Sequence, residues 1–250
     1  MRTVALALAP LLQACLFAPA AHPRAHDEVR RGYRHLDAGD LERAEAAFAL
    51  ALEFKPDLPE AWNGAGVAAE RRGDLAGARR LFERAVRYHP DFAEAHANLG
   101  AVALLAGDHA SAEGHLRAAL AVDPDLWVAR LGLGRTLLHR GRAEPASRQA
   151  HWSRARREYL LLLESREDCP EAWHDLGYMD LESGRLEGAE ASYRRAAALS
   201  ADPASLHGLC ASLARQGRCR EAADACRRCL ELAPGSAECR RSLGAAEGCR

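Results

Sequence analysis

Residues 61–90 read AWNGAGVAAERRGDLAGARRLFERAVRYHP, and Trp62, Gly66, Gly73, Ala78, Phe82, Ala85 and Pro90 in that stretch set a pattern that the chain repeats. The same order of small, bulky and turn-forming residues returns at a spacing of roughly 34. It gives Gly32, Gly39, Ala44, Phe48, Ala51 and Pro56 before this stretch, and Leu99, Gly100, Gly107, Ala112, Ala119 and Pro124 after it. Further on come Trp173, Leu176, Gly177, Gly184, Ala189, Tyr193 and Ala196. The pattern has a physical reason in paired helices. A glycine on the first helix lets the second cross closely, alanine answers it, and a bulky ring one turn later seals the gap. A second glycine between the helices supplies the left-handed backbone of a tight stop. Proline near the end of each unit cannot continue a helix and opens the next. One such hairpin cannot bury its apolar face alone, so neighbours must stack.

At these positions the chain resembles the tetratricopeptide repeat family. The resemblance implies an all-α, right-handed superhelical solenoid of about six helix pairs with a C-terminal capping helix. The units fall at about 25–58, 59–92, 93–126, 127–169, 170–202 and 203–236, with the cap at 237–250. The fourth unit carries about nine extra residues, Arg142 to Ala150, before Ala155 and Tyr159 resume the frame. Pro145 is placed to start a helix there. One reading is a loop tolerated on the edge of the repeat. The other is a helix lengthened by roughly 13 Å that carries Trp152 and the Arg154, Arg156, Arg157 cluster out to a partner.

The N-terminus reads as a targeting segment and is set apart from the fold. Arg2 is a positive start, Val4 to Leu12 a short apolar core, and Leu12-Gln13-Ala14-Cys15 resembles the bacterial lipobox. The resemblance implies a signal peptide at 1–14 and a diacylglycerol thioether with an amide-linked acyl chain, such as palmitate, on Cys15. Residues 15–26 would then be a tether. Two or more acyl chains anchor a protein firmly. Leu16 is not the Asp that retains many such lipoproteins at the inner membrane, so the implied place is the periplasmic face of the outer membrane. Ordinary signal-peptidase cleavage after Ala18-Pro19-Ala20 is the competing reading, and it gives a soluble periplasmic protein.

Such a compartment is oxidising, and the eight cysteines fit it. With Cys15 assigned to lipid, six of the other seven crowd the sixth unit and the cap. There Cys210, Cys226 and Cys229 stand where glycine, an aromatic and alanine stood in earlier units. The helical frame pairs Cys210 with Cys226, Cys219 with Cys249 and Cys229 with Cys239, leaving Cys169 free. Cys226-Arg227-Arg228-Cys229 is followed by Leu230 and not by the histidine of a haem-attachment motif. A zinc site from the thiolates is the remaining alternative, disfavoured where disulfides form.

The formal net charge is −1, and Lys55 is the sole lysine among the basic residues. No basic stripe or aromatic platform for nucleic acid follows from this. The histidines have no metal-ligand spacing, there is no Gly-rich phosphate loop or nucleophile elbow, and no cofactor or small-molecule substrate is implied. The acidic residues read as surface partners of arginine. The expectation is a binding protein and not an enzyme.

In the tetratricopeptide family the first helices line a groove at the positions flanking the packing glycine. Carried over, these are Tyr33, Asn63, Val67, Asn98, Ala101, Leu131, Arg135, His174, Tyr178 and His207. Asn63 and Asn98 would hold a peptide backbone while Val67, Leu131 and Tyr178 touch side chains. Each of these positions is as compatible with packing between helices as with a groove. The lysine–arginine clamp of chaperone-tail receptors is missing. A lipobox, a short tether and about six repeats together are similar to the type IV pilus pilotins of the PilF, PilW and Tgl group. Trp62-Asn63-Gly64 and His96-Ala97-Asn98 stand where many members carry Asn-Asn-Tyr-Gly. That resemblance implies an outer-membrane lipoprotein that binds secretin subunits and assists their assembly, and hence pilus biogenesis and motility. A generic periplasmic scaffold for an envelope or polysaccharide-export complex is the alternative reading. A cytochrome-assembly helper, an inner-membrane role that Leu16 argues against, is a third.

Overall fold

A computed structural model describes residues 23–248, and the described residues are helical in consecutive pairs. They fall into two compact units that divide between Pro90 and Asp91.

The first unit holds α1 (Pro23–Asp37), α2 (Leu41–Phe54), α3 (Pro59–Arg71) and α4 (Leu75–Tyr88). α1 packs on α2 and α3 on α4, and α3 also rests on both members of the first pair. The turn inside the second hairpin shows how the sequence ends one helix and begins the next. Gly73 takes φ 87°, which a side chain would resist. Asp74 then caps α4 by accepting from the Gly77 N–H at 2.8 Å. Phe48 is fully buried and is used twice. A Cβ built on Gly32 of α1 would lie 2.6 Å from its ring, and one on Gly64 of α3 2.2 Å. α2 thus locks its own first helix and the next one, while Phe82 of α4 fills the notch over Gly66 on its own first helix.

The second unit continues with α5 (Ala93–Leu105), α6 (His109–Val122), α7 (Trp127–Ala143), α8 (Arg148–Ser165), α9 (Pro170–Glu182), α10 (Leu186–Leu199), α11 (Pro203–Arg215), α12 (Cys219–Leu232) and α13 (Ala237–Glu247). Leu116 of α6 is the shared bulky residue for Gly100 and Gly132, and Tyr193 of α10 serves Gly177 and Gly208. A further device recurs at the start of several first helices. The indole of Trp173 donates to the carbonyl six residues earlier, Glu167, at 2.9 Å. Trp62 does the same to Pro56 at 2.8 Å, and arginines replace the indole at Arg130 to Pro124 and Arg240 to Pro234. The loop before the helix is fastened in each case.

The fourth hairpin corrects both readings of the added residues. They form neither a slack loop nor one long projecting helix. α7 has 17 residues and α8 has 18, where the third hairpin has 13 and 14. Each helix is therefore longer by four residues, about one turn or 6 Å, joined by Glu144 and the short 3₁₀ turn Pro145–Ser147. Gly141, at the place of a turn glycine, lies inside α7 instead. A Cβ there would meet the Trp152 ring at 2.3 Å, and the Trp152 indole donates to the Leu138 carbonyl at 3.2 Å. Trp152 is buried, so it seals the taller hairpin and is not carried outward. The nearby arginines are also spent internally: Arg154 pairs with Glu113, Arg156 with Asp180 and Arg157 with Glu158.

Those partners correct a second expectation. Glu113, Glu158, Asp180 and Glu190 are buried, not surface residues. Each sits under at least two guanidinium groups, as Glu190 does under Arg218 at 2.6 Å and Arg194 at 2.5 Å. Burial alone would push the Glu190 carboxyl up, but Gln216, Arg194 and Arg218 outweigh it and hold the group down at about 2.

In the sixth hairpin the ring lock is replaced by a bond. Cys210 of α11 occupies the packing-glycine register and Cys226 of α12 the ring register, and the two are joined with Cα atoms 5.4 Å apart. Cys229 of α12 is joined to Cys239 of α13 across 6.3 Å. Cys219 is also disulfide-bonded, while Cys249 lies outside the described residues. Cys169 is a buried free thiol. Cys15, the signal segment and the tether through residue 22 lie outside the described residues as well.

Candidate binding wall on the first helices of the second unit

The expected groove residues separate on the basis of burial. Asn63 is 5% exposed and Leu131 8%, so both belong to packing. Asn63 donates through Nδ2 to the Tyr33 hydroxyl at 3.3 Å, and Leu131 joins the apolar cluster of α5–α9. When hairpins stack closely, a position beside the packing glycine can be covered by the neighbouring helix. Tyr33, Val67, Asn98, Ala101, Arg135, His174, Tyr178 and His207 are only half-buried.

Four of these, Arg135, His174, Tyr178 and His207, come together on the wall formed by α7, α9, α11 and α13. Two cavities open there. The first, about 350 Å³, is lined by Arg135, Glu171, His174, Asp202 and Ser205 among others. The second, about 490 Å³, is lined by His174, Tyr178, Leu181, Tyr193, Pro203, His207, Ala211, Glu182, Glu238 and Cys239. His174 and Ala204 border both, so the two cavities lie side by side.

Local sequence fixes each side chain. Asp202-Pro203-Ala204-Ser205 starts α11 with a cap in which the Asp202 carboxylate accepts from the Ala204 and Ser205 N–H groups. The Ser205 hydroxyl donates to the same carboxylate at 2.8 Å and accepts from His174 Nδ1 at 2.9 Å. Burial pushes the Asp202 carboxyl up, but the Ser205 hydroxyl and the two N–H groups prevail and hold it below the usual range. His174 also stands edge-on to the Tyr193 ring at 5.4 Å. His207 Nε2 bonds the Ser242 hydroxyl of α13 at 3.0 Å. Arg135 Nε donates to Asp175 at 3.1 Å, and the buried Tyr159 hydroxyl donates to that same carboxylate oxygen at 3.1 Å.

Ser205, His174 and Asp202 look like a hydrolytic set by composition, yet the geometry is that of a brace. The serine is 2% exposed and lies between histidine and aspartate, where a nucleophile must stand at the open end of the series. What the wall offers is shape, aromatic edges and hydrogen-bonding groups. Sequence reasoning missed Asp175, Asp202 and Ser205. The Asp-Pro-x-Ser start of α11 was a readable capping signal for the last two, whereas nothing in the spacing marks Asp175. Among the described residues, no group of three or more His, Cys, Asp or Glu side chains is arranged to hold a metal ion, and no helix is long and apolar enough to cross a membrane.

Tetratricopeptide repeat models match residues 29–84, 71–126 and 146–205, and a further one matches 103–151. The chain belongs to the tetratricopeptide repeat family, whose repeats serve as protein-interaction modules. Among solved structures it is similar to the pilF protein of Pseudomonas aeruginosa, with TM-score 0.77 and 17% identity over 89% of this chain and 97% of that one. It is likewise similar to PilW, a widely conserved type IV pilus biogenesis factor, with TM-score 0.74 and 19% identity over 88% and 98% of the two chains. The Cut9–Hcn1 hetero-tetramer of the APC/C gives TM-score 0.76 and 17% identity over 90% of this chain, which spans 44% of the Cut9–Hcn1 chain it matches. No curated protein matches by sequence.

Proposed function

We propose that this chain is a lipid-anchored pilotin that holds an extended segment of a type IV pilus secretin subunit against the wall of α9, α11 and α13. The single observation that carries the binding role is the pair of adjoining cavities that share His174. They offer room for successive side chains, with half-buried His174 shared by both and half-buried Tyr178 and His207 lining the larger. The pilus assignment draws on the likeness to pilF and PilW, each of which this chain matches over nearly its whole length. The anchor draws on the lipobox at Cys15. The mechanism is physical and not chemical. Acyl chains would confine the protein to the periplasmic face of the outer membrane and raise the effective concentration of the subunit it holds. The wall would keep that subunit from premature association until it reaches the lipid.

Two variants test the reading. Cys15→Ser should leave secretin as monomers by releasing the anchor. Tyr178→Ala with His207→Ala should do so with localisation and helical content unchanged, because both side chains are half-exposed. Leu131 is unsuitable for this purpose because it is core. Unaltered secretin multimers in both strains sink the proposal. Envelope enzymes in place of a secretin, in mass spectrometry of material co-purified from detergent-solubilised outer membranes, would transfer the wall to a scaffold role.

A further inference from the structure

The chemistry of the two cavities also specifies what kind of segment they take, given the reading of this wall as a peptide-binding surface. We propose that the bound segment is cationic, with an apolar side chain flanked on both sides by lysine or arginine.

The apolar part follows from the larger cavity. Tyr178, Leu181, Tyr193, Pro203 and Ala211 supply its lining, and the Cys229–Cys239 bridge holds α13 in place as its far side. The charge follows from the rim. Glu182 and Glu238 border this cavity, both are exposed, and neither makes an ion pair with a described residue. Glu171 and Asp202 border the adjoining cavity. Glu171 is exposed and receives only the Cys169 thiol, at 3.4 Å, while Asp202 is taken up in capping α11. Against these carboxylates stands one guanidinium, Arg135, and Asp175 already neutralises it at 3.1 Å. Arg142 lies over the Tyr178 ring at 5.4 Å and Arg215 donates to the Leu181 carbonyl at 2.7 Å, but neither lines a cavity. A chain of formal net charge −1 therefore presents, at this wall, acidic groups on both sides of an apolar hollow. An anionic segment would meet like charges at each side, and a neutral one would leave those groups unused.

The test uses the full oxidised chain and a fluorescein-labelled peptide of about ten residues in which Leu and Tyr lie between two lysine pairs. A twin peptide carries glutamate in place of every lysine. Fluorescence anisotropy should give the lysine peptide an affinity at least about tenfold higher at low salt, with the gap narrowing as salt rises. Glu182→Gln with Glu238→Gln should close most of the gap at an unchanged melting temperature. Equal binding of the twins, tighter binding of the glutamate peptide, or an undiminished gap in the double variant overturns the proposal. The two readings fail separately. Secretin that co-purifies through Tyr178 while the peptides show no charge preference removes the cationic segment and leaves the pilotin role standing. A lysine preference without any secretin does the reverse.

Discussion

Phe48 does two jobs with one ring: it fills the notch over Gly32 on its own first helix and the notch over Gly64 on the next. Its loss should open both notches, so Phe48→Ala is expected to cost about 3–5 kcal/mol in urea unfolding. The glycine-to-ring spacing made this joint legible in the sequence. What spacing hides is whether a neighbour covers the position. Asn63 and Leu131 sit in the same frame as His174 and Tyr178, yet the first two are core and the last two line cavities. Charge was equally hard to read, since an Arg–Glu pair at helical spacing looks the same exposed or buried. Glu190 is the sharpest case. Its carboxyl is held at about 2 in the folded chain against an ordinary 4.5, so it stabilises fully above about pH 4.5. That contribution should fade as pH falls toward 2. Melting temperatures across this window should therefore drop more steeply in the wild type than in Glu190→Gln.

Among the elements, the fourth hairpin and α13 depart most from the repeat. Nine inserted residues can lengthen one helix, both helices or the turn, and the repeat frame does not choose between these. The choice falls to Trp152, whose ring needs a glycine opposite and finds Gly141, which stands at the usual stop but is overrun by α7. The sequence contained both residues, but their pairing appears only once α7 and α8 are seen to grow together. α13 is short and buries little beyond Cys239 and Ala246. Its attachment therefore leans on the bridge from Cys229. Cys239→Ser should lower unfolding free energy by about 2–4 kcal/mol and weaken ligand binding at the neighbouring cavity, since Cys239 is part of its lining. Calorimetry of the variant and the wild type, each oxidised and reduced, checks this. A difference that disappears once both are reduced would confine the effect to the bond.

Across the molecule, stability in a repeat chain is a sum of hairpins and of the joints between neighbours, so the hairpins need not open together. Hydrogen exchange followed by mass spectrometry should find α11 and α12 among the best-protected helices when oxidised. After reduction they should fall with α13 to the least protected of the second unit, with α9 and α10 changing less. That reversal stems from one exchange of parts. Where Tyr193 fills the space over Gly177 and Gly208 by volume, Cys210 and Cys226 fill theirs only when bonded. As thiols they are two small groups facing each other, with too little bulk to hold a helix crossing. A ring begins to pack as soon as its hairpin closes, but this pair must wait for an electron acceptor. The final hairpin therefore matures on a redox clock of its own. A newly made copy can be helical throughout and still be unfinished at the end that carries the binding wall.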